Sequence, residues 1–222
     1  MINRRFPTIP IVCIVVNLFN NQKLKFERNN SRLDSLQLGE FIIENSTRQN
    51  ILTSNEMKNL MKLINFSEET KWQLIYQATK HGFSSSSFHA KCNTKRNTLV
   101  LIKTSNSNVF GGFTCKKWSG NNCFKTDPNA FMFSFKNESN KPIQMKCYRP
   151  ACAIYCNPEF GPSFGRTDLI IKNNSNEHEQ SWSHLGHTYT HPQLNYDSIQ
   201  AQTFLAGTFN FKTVEIEVFC LE

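Results

Sequence analysis

The sequence predicts an α+β fold that is mainly β: antiparallel strands in two sheets, with a few short helices. Three observations carry this. Short apolar segments recur along the last 170 or so residues, bounded by Asn, Gly, Pro or Ser clusters. One stretch has a clean helical period. No long helices are interleaved with the strands, which disfavours a doubly wound α/β fold.

The helix comes first. Thr53 and Glu56 have the three-residue spacing of a capping box, and Met57, Leu60, Met61 and Ile64 then recur at i, i+3, i+4 and i+7. This predicts an amphipathic helix of about three turns, with its Met-containing stripe turned to the core. The period then falls to two. Trp72, Leu74, Tyr76 and Ala78 alternate with polar residues, as in a half-buried strand, and His81-Gly82 turns the chain. Ser84 to Ser87 lead into a short serine-capped helix through Phe88 and Cys92. Strands are then expected at residues 98–103, 108–114, 130–135, 143–147, 151–155, 168–172 and 214–219.

The 222 residues suffice for one domain and an extension, and 39% hydrophobic residues, 19 of them Phe, supply one core. The formal net charge is +8. Its tightest groups, Lys95-Arg96 and Lys116-Lys117, fall short of the five-to-eight-residue basic run of a nucleic-acid patch. A generally basic surface is expected, with no nucleic-acid partner. The eight cysteines are Cys13, Cys92, Cys115, Cys123, Cys147, Cys152, Cys156 and Cys220. A chain able to build a core needs no disulfide framework, so reduced thiols and a cytoplasmic location are expected.

The first 49 residues form an extension with no assigned domain. Arg4 and Arg5 precede the apolar run Ile11 to Val16, the order found in a signal peptide. Against that, Pro7, Pro10 and Asn17 interrupt the pattern, and Asn20-Asn21-Gln22-Lys23 lacks a small-residue cleavage site. The run is too short to span a bilayer, so no stable membrane span is expected. A secretory location follows only if this run acts as a signal. The sequon Asn137-Glu138-Ser139 adds nothing in a chain so rich in Asn and Ser.

Four constellations invite a chemical reading. Gly161-Pro162-Ser163-Phe164-Gly165 matches the string of a nucleophile elbow, but a strand rather than a helix follows and Pro162 removes a backbone N–H. A Gly/Pro turn is expected there. His184, His187 and His191, with His178 upstream, could supply zinc ligands, yet their Gly/Pro/Asn setting reads as a loop with exposed imidazoles. Cys147, Cys152 and Cys156 lack the C-x2-C spacing of a zinc knuckle or a redox pair. Gly111-Gly112, flanked by Phe110 and Phe113 in a strand pattern, reads as a bulge or a close backbone approach. No cofactor is expected.

In order and spacing, several strings resemble the TLDc domain family. They are Trp72 to Tyr76, His81-Gly82-Phe83-Ser84, Phe88-His89, Val109 to Thr114 with Trp118, and Ala130 to Ser134. They continue with Phe160 to Gly165, Asp168-Leu169-Ile170, Leu205-Ala206-Gly207, Phe211 and Glu215 to Phe219. The resemblance covers residues 50–222. It implies a two-sheet β-sandwich, protection against oxidative stress without a catalytic site, and, in some relatives, binding and regulation of the vacuolar-type proton ATPase. A protein partner, such as subunits of that ATPase, is therefore expected. The family's acidic positions map to Asp168, Glu215 and Glu217, and its glycines to Gly111, Gly112, Gly161 and Gly165. Glu215 and Glu217, two apart on a strand, share one face. They serve either a polar contact with a partner or hydrogen bonds that close the sandwich. Two other readings stay open: a thiol-based peroxide-scavenging enzyme, and a secreted or membrane-anchored domain.

Overall fold

The computed structural model describes residues 50–222, which fall in one compact unit, Gln49–Glu222. The readings of the N-terminal extension, its apolar run and Cys13 lie outside the described residues.

The first helix, α1 (Ser54–Leu63), starts where the capping box places it: Thr53 Oγ1 accepts the Glu56 N–H at 3.3 Å and Glu56 Oε2 accepts the Thr53 N–H at 2.9 Å. Then follow β1 (Trp72–Gln77), α2 (Ala78–His81), α3 (Ser85–Cys92), β2 (Thr98–Thr104), β3 (Val109–Thr114), β4 (Cys123–Lys125), β5 (Phe131–Lys136) and β6 (Ile143–Lys146). A 3-10 turn at Pro150–Cys152 precedes β7 (Ile154–Cys156), β8 (Phe160–Phe164), β9 (Leu169–Lys172) and β10 (Ser181–Trp182). The chain closes with α4 (Ile199–Thr203), β11 (Asn210–Phe211) and β12 (Thr213–Leu221).

Twelve strands form two six-stranded antiparallel sheets, in the orders β1-β12-β2-β3-β5-β6 and β11-β10-β9-β8-β7-β4. Both termini of the unit meet in the first sheet, where β12 lies between β1 and β2. The main core fills the space between the sheets, with Val100, Ile102, Phe110, Met132, Ile216 and Val218 facing Phe164, Leu169, Ile171 and Phe211. A second cluster covers the opposite face of the first sheet. Leu60, Met61 and Ile64 of the α1 stripe sit on Leu99, Leu101, Phe133 and Phe219. This explains the continuous apolar run of β2, whose side chains are buried alternately on both faces.

Several expected elements differ. The alternation through β1 breaks at a bulge between Leu74 and Tyr76, so Leu74 is exposed and Ile75 packs on the core. Ala78 belongs to α2, not to the strand. The segment expected as a strand over 151–155 begins as the 3-10 turn, because Pro150 fixes φ and has no N–H for a ladder. Phe160 to Phe164 is itself a strand, and only Gly165, at φ +70°, makes the expected turn.

Candidate functional site

Gly111 and Gly112 allow the close approach expected of them. A Cβ on Gly111 would run into the carbonyl oxygen of Val100, and one on Gly112 would lie 2.7 Å from the Phe164 ring of the facing sheet. A Cβ on Gly161 would press on Ile171 Cγ2 at 3.2 Å. Ser163 is fully buried in β8, and its hydroxyl donates to Gly161 O at 3.1 Å. That is opposite to the exposed nucleophile an elbow requires.

Asp168 ends the turn between β8 and β9 and is wholly buried. Its carboxylate accepts the backbone N–H groups of Gly186 and Thr188 at 3.0 Å and of Tyr189 at 3.1 Å. One side chain thereby holds a crossing loop whose own donors have no ladder to join. Burial pushes the Asp168 carboxyl up, and the three N–H donors pull against that shift.

Glu215 and Glu217 share the face of β12 opposite Ile216 and Val218, as a period of two requires. Glu215 accepts the Thr79 N–H at 3.1 Å and also its hydroxyl, which ties α2 to β12. Glu217 Oε1 accepts the Ile51 N–H at 3.2 Å and a Gln77 amide N–H at 3.4 Å. Glu217 Oε2 is buried without a hydrogen-bond partner. Burial, opposed by the Ile51 N–H and reinforced by the nearby Glu215 charge, raises the Glu217 carboxyl to about 7. All three carboxylates are thus engaged inside the chain, and the hydroxyl of Thr79 is bonded to Glu215.

Of the candidate histidines, His184 and His187 both meet Tyr196, and His191 stands apart. His184 stacks on Tyr196 with ring centroids 4.5 Å apart, whereas His191 lies against Phe204 at 4.6 Å. They are half-buried rather than exposed, because aromatic neighbours cover them. Among the described residues no group of three His, Cys, Asp or Glu is placed to hold a metal ion. All seven described cysteines are free. Burial raises the thiols of Cys92, Cys115 and Cys156, and that of Cys147 to about 11, which removes the thiolate that nucleophilic chemistry needs. A shallow open depression of about 450 Å³ is lined by Ser85, Glu159, Lys172, Asn173 and His178, among others, with no activated nucleophile.

Sequence reasoning passed over one surface. Tyr148, Tyr196 and Phe209 are exposed, and the Asp168-anchored loop brings them together. Tyr148 donates its phenolic O–H to Gly186 O at 2.9 Å, and Tyr196 lies against both His184 and His187. His184 also meets Phe209, at 6.4 Å. The available signal was an aromatic residue standing alone in each Asn- or Gly-rich loop.

Two antiparallel sheets packed face to face, with buried acidic residues holding the chain's own loops, define a β-sandwich class of domain. The chain belongs to the TLDc domain family, which matches residues 45–222. It is similar to the MTOR-associated protein MEAK7 of Danio rerio, at 27% identity over 75 residues, covering 34% of this chain and 17% of that protein. The Xenopus laevis protein of that name is 26% identical over 92 residues, covering 41% and 20% of the two chains. The Gallus gallus protein is 33% identical over 64 residues, covering 29% and 14%. The matched stretch thus spans a fifth or less of each of these relatives. Among the described residues no helix is long and apolar enough to cross a membrane.

Proposed function

We propose that this chain is a non-catalytic, cytoplasmic protein-interaction module that serves in oxidative-stress protection by binding and regulating the vacuolar-type proton ATPase. The observation that carries the reading is the use of Asp168, Glu215 and Glu217 within a TLDc domain. Each accepts backbone N–H groups of its own chain, so the family's acidic positions are occupied in holding a surface in shape. The three relatives are named as MTOR-associated proteins, which supports a role in partner binding and offers mTOR association as a second partner to test. A thiol-based scavenger is the weaker reading, because burial raises four of the thiols.

The test is to add the purified protein to purified vacuolar-type ATPase and follow inhibitor-sensitive ATP hydrolysis and release of the soluble sector. A dose-dependent change accompanied by co-sedimentation supports the reading. No change and no co-sedimentation removes the ATPase as partner. Steady peroxide consumption by the protein alone would move it to the enzyme class.

A further inference from the structure

We propose that Tyr148, Arg149, Arg166, His187, Tyr196 and Phe209 form a docking surface for an acidic segment of a protein partner. The segment would lay one large apolar side chain on the aromatic rings and pair its carboxylates with the two arginines. This inference rests on the interaction-module reading and names the surface that does the work.

The large hydrophobic residues exposed in the described chain are Leu74, Phe124, Tyr148, Tyr196, Ile199, Phe209 and Val214. Three of them, Tyr148 at 44%, Tyr196 at 43% and Phe209 at 41%, belong to one loop cluster. Scattered exposed apolar residues need no explanation, but a contiguous set with arginine has the make-up of an interface centre. Continuity is given by contacts. Tyr148 bonds to Gly186, His184 and His187 both touch Tyr196, and His184 bridges Tyr196 to Phe209.

Arg149 lies over the Tyr148 ring at 5.2 Å and reaches His187 Nε2 at 3.3 Å. Arg149 and Arg166 are both exposed, the Arg166 N–H donates to Thr188 Oγ1 at 3.2 Å next to His187, and neither arginine joins an ion pair among the described residues. Two carboxylates lie near: Asp197, exposed, 3.1 Å from His184 Nε2 without the alignment of a hydrogen bond, and Asp168, wholly buried beneath the loop and engaged by three backbone N–H groups. With Asp168 buried and engaged, the charges presented to solvent are two unpaired arginines against the single Asp197, in a chain of net charge +8, and an acidic segment is their complement. Two arginines beside an aspartate do not make the continuous basic track that a nucleic-acid backbone requires.

The backbone beneath the rings is clamped by the three N–H groups on Asp168, and Tyr189 below it donates to Ala153 O at 2.6 Å. A loop already held in place loses little entropy on binding.

The experiment uses the full chain and a fluorescein-labelled synthetic decapeptide, four Asp/Glu residues on either side of a central Leu-Phe, read by fluorescence anisotropy. The expected result is saturable binding, weakened about tenfold or more by Arg149→Glu with Arg166→Glu. An equal charge change at Lys95→Glu with Arg96→Glu should leave it within about twofold. Replacing Leu-Phe by Ser-Ser, or Tyr196 by Ala, should also weaken it. Absence of peptide binding, or equal loss in the two double variants, overturns the proposal. So does tighter, arginine-dependent binding of a thymidine oligonucleotide. Failure of the broader reading is distinguishable. If the wild type and the Arg149/Arg166 variant bind the ATPase equally, the module stands and this surface is wrong. If peptide binding follows the arginines while the ATPase is not bound, the surface stands and the ATPase is the wrong partner.

Discussion

The ring of Phe164 occupies the place a side chain on Gly112 would take. Gly112 lies in the middle of β3, Phe164 ends β8 in the other sheet, and a Cβ on the glycine would stand 2.7 Å from Phe164 Cε1. Phe164 also meets Trp118 edge to face at 5.5 Å, so it has little room to withdraw. Gly112→Ala is expected to destabilise the fold by about 1–3 kcal/mol through overpacking. Urea unfolding monitored by tryptophan fluorescence checks this. An unchanged midpoint would show that the sheets can move apart at no measurable cost.

Asp168→Ala should be more damaging. It leaves the N–H groups of Gly186, Thr188 and Tyr189 unpaired in a buried place. The expected loss is about 3 kcal/mol. Hydrogen exchange should show these three amides losing protection before the strands do. Uniform protection in the variant would mean that the loop does not depend on the carboxylate.

Glu217 should make stability fall as pH rises. Its folded-state value of about 7 lies above the ordinary 4.5, so its stabilising contribution is complete below about 4.5. That contribution is lost as pH climbs through about 7, where the buried carboxyl ionises. The size is at most about 3 kcal/mol. Glu217→Gln keeps an oxygen for the Ile51 N–H and cannot ionise. Unfolding midpoints measured between about pH 5 and 8 should decline in the wild type and flatten in the variant. Parallel curves would exclude Glu217 as the titrating group.

The buried carboxylates also settle which substitutions can report on binding. Reversing Glu215 or Glu217 to Lys places an unpaired cation where Thr79 or Ile51 donates a hydrogen bond. Loss of the folded state is expected, on the order of 3 kcal/mol or more for each. Circular dichroism and a melting curve decide it, and a folded double variant would show that this region can open to water.

Loss of the capping box has a smaller, local effect. Thr53→Ala removes the acceptor of the Glu56 N–H and should reduce stability by about 1 kcal/mol. The ion pair of Glu56 with Lys136, at 2.6 Å, still ties α1 to β5 and should limit the damage. A loss well above this would show that α1 seats the whole outer cluster.

The sequence by itself determined the features that are written locally. A capping box and an i, i+3, i+4 stripe place α1 within a residue, and short apolar runs bounded by turn residues locate the long strands β2, β3, β5 and β12. The glycine pair inside a strand pattern announced a close approach, and ordered strings of residues announced the family. Strands of two or three residues carry too few positions to show a period, so β4, β10 and β11 were not legible and β7 was covered only in part by the segment 151–155. A bulge in β1 reversed Leu74 and Ile75, because one irregular residue exchanges the faces of a strand. Only the tertiary structure decided that Glu215 and Glu217 face inward, since β12 lies under Ile51 and α2, both distant in sequence. The grouping of Tyr148, Tyr196 and Phe209 was decided there too. Each stands alone in its own loop, and the buried carboxylate of Asp168 fixes the loop against which they gather. Local propensity is set by neighbours along the chain, whereas burial and surface grouping are set by segments that meet only after folding.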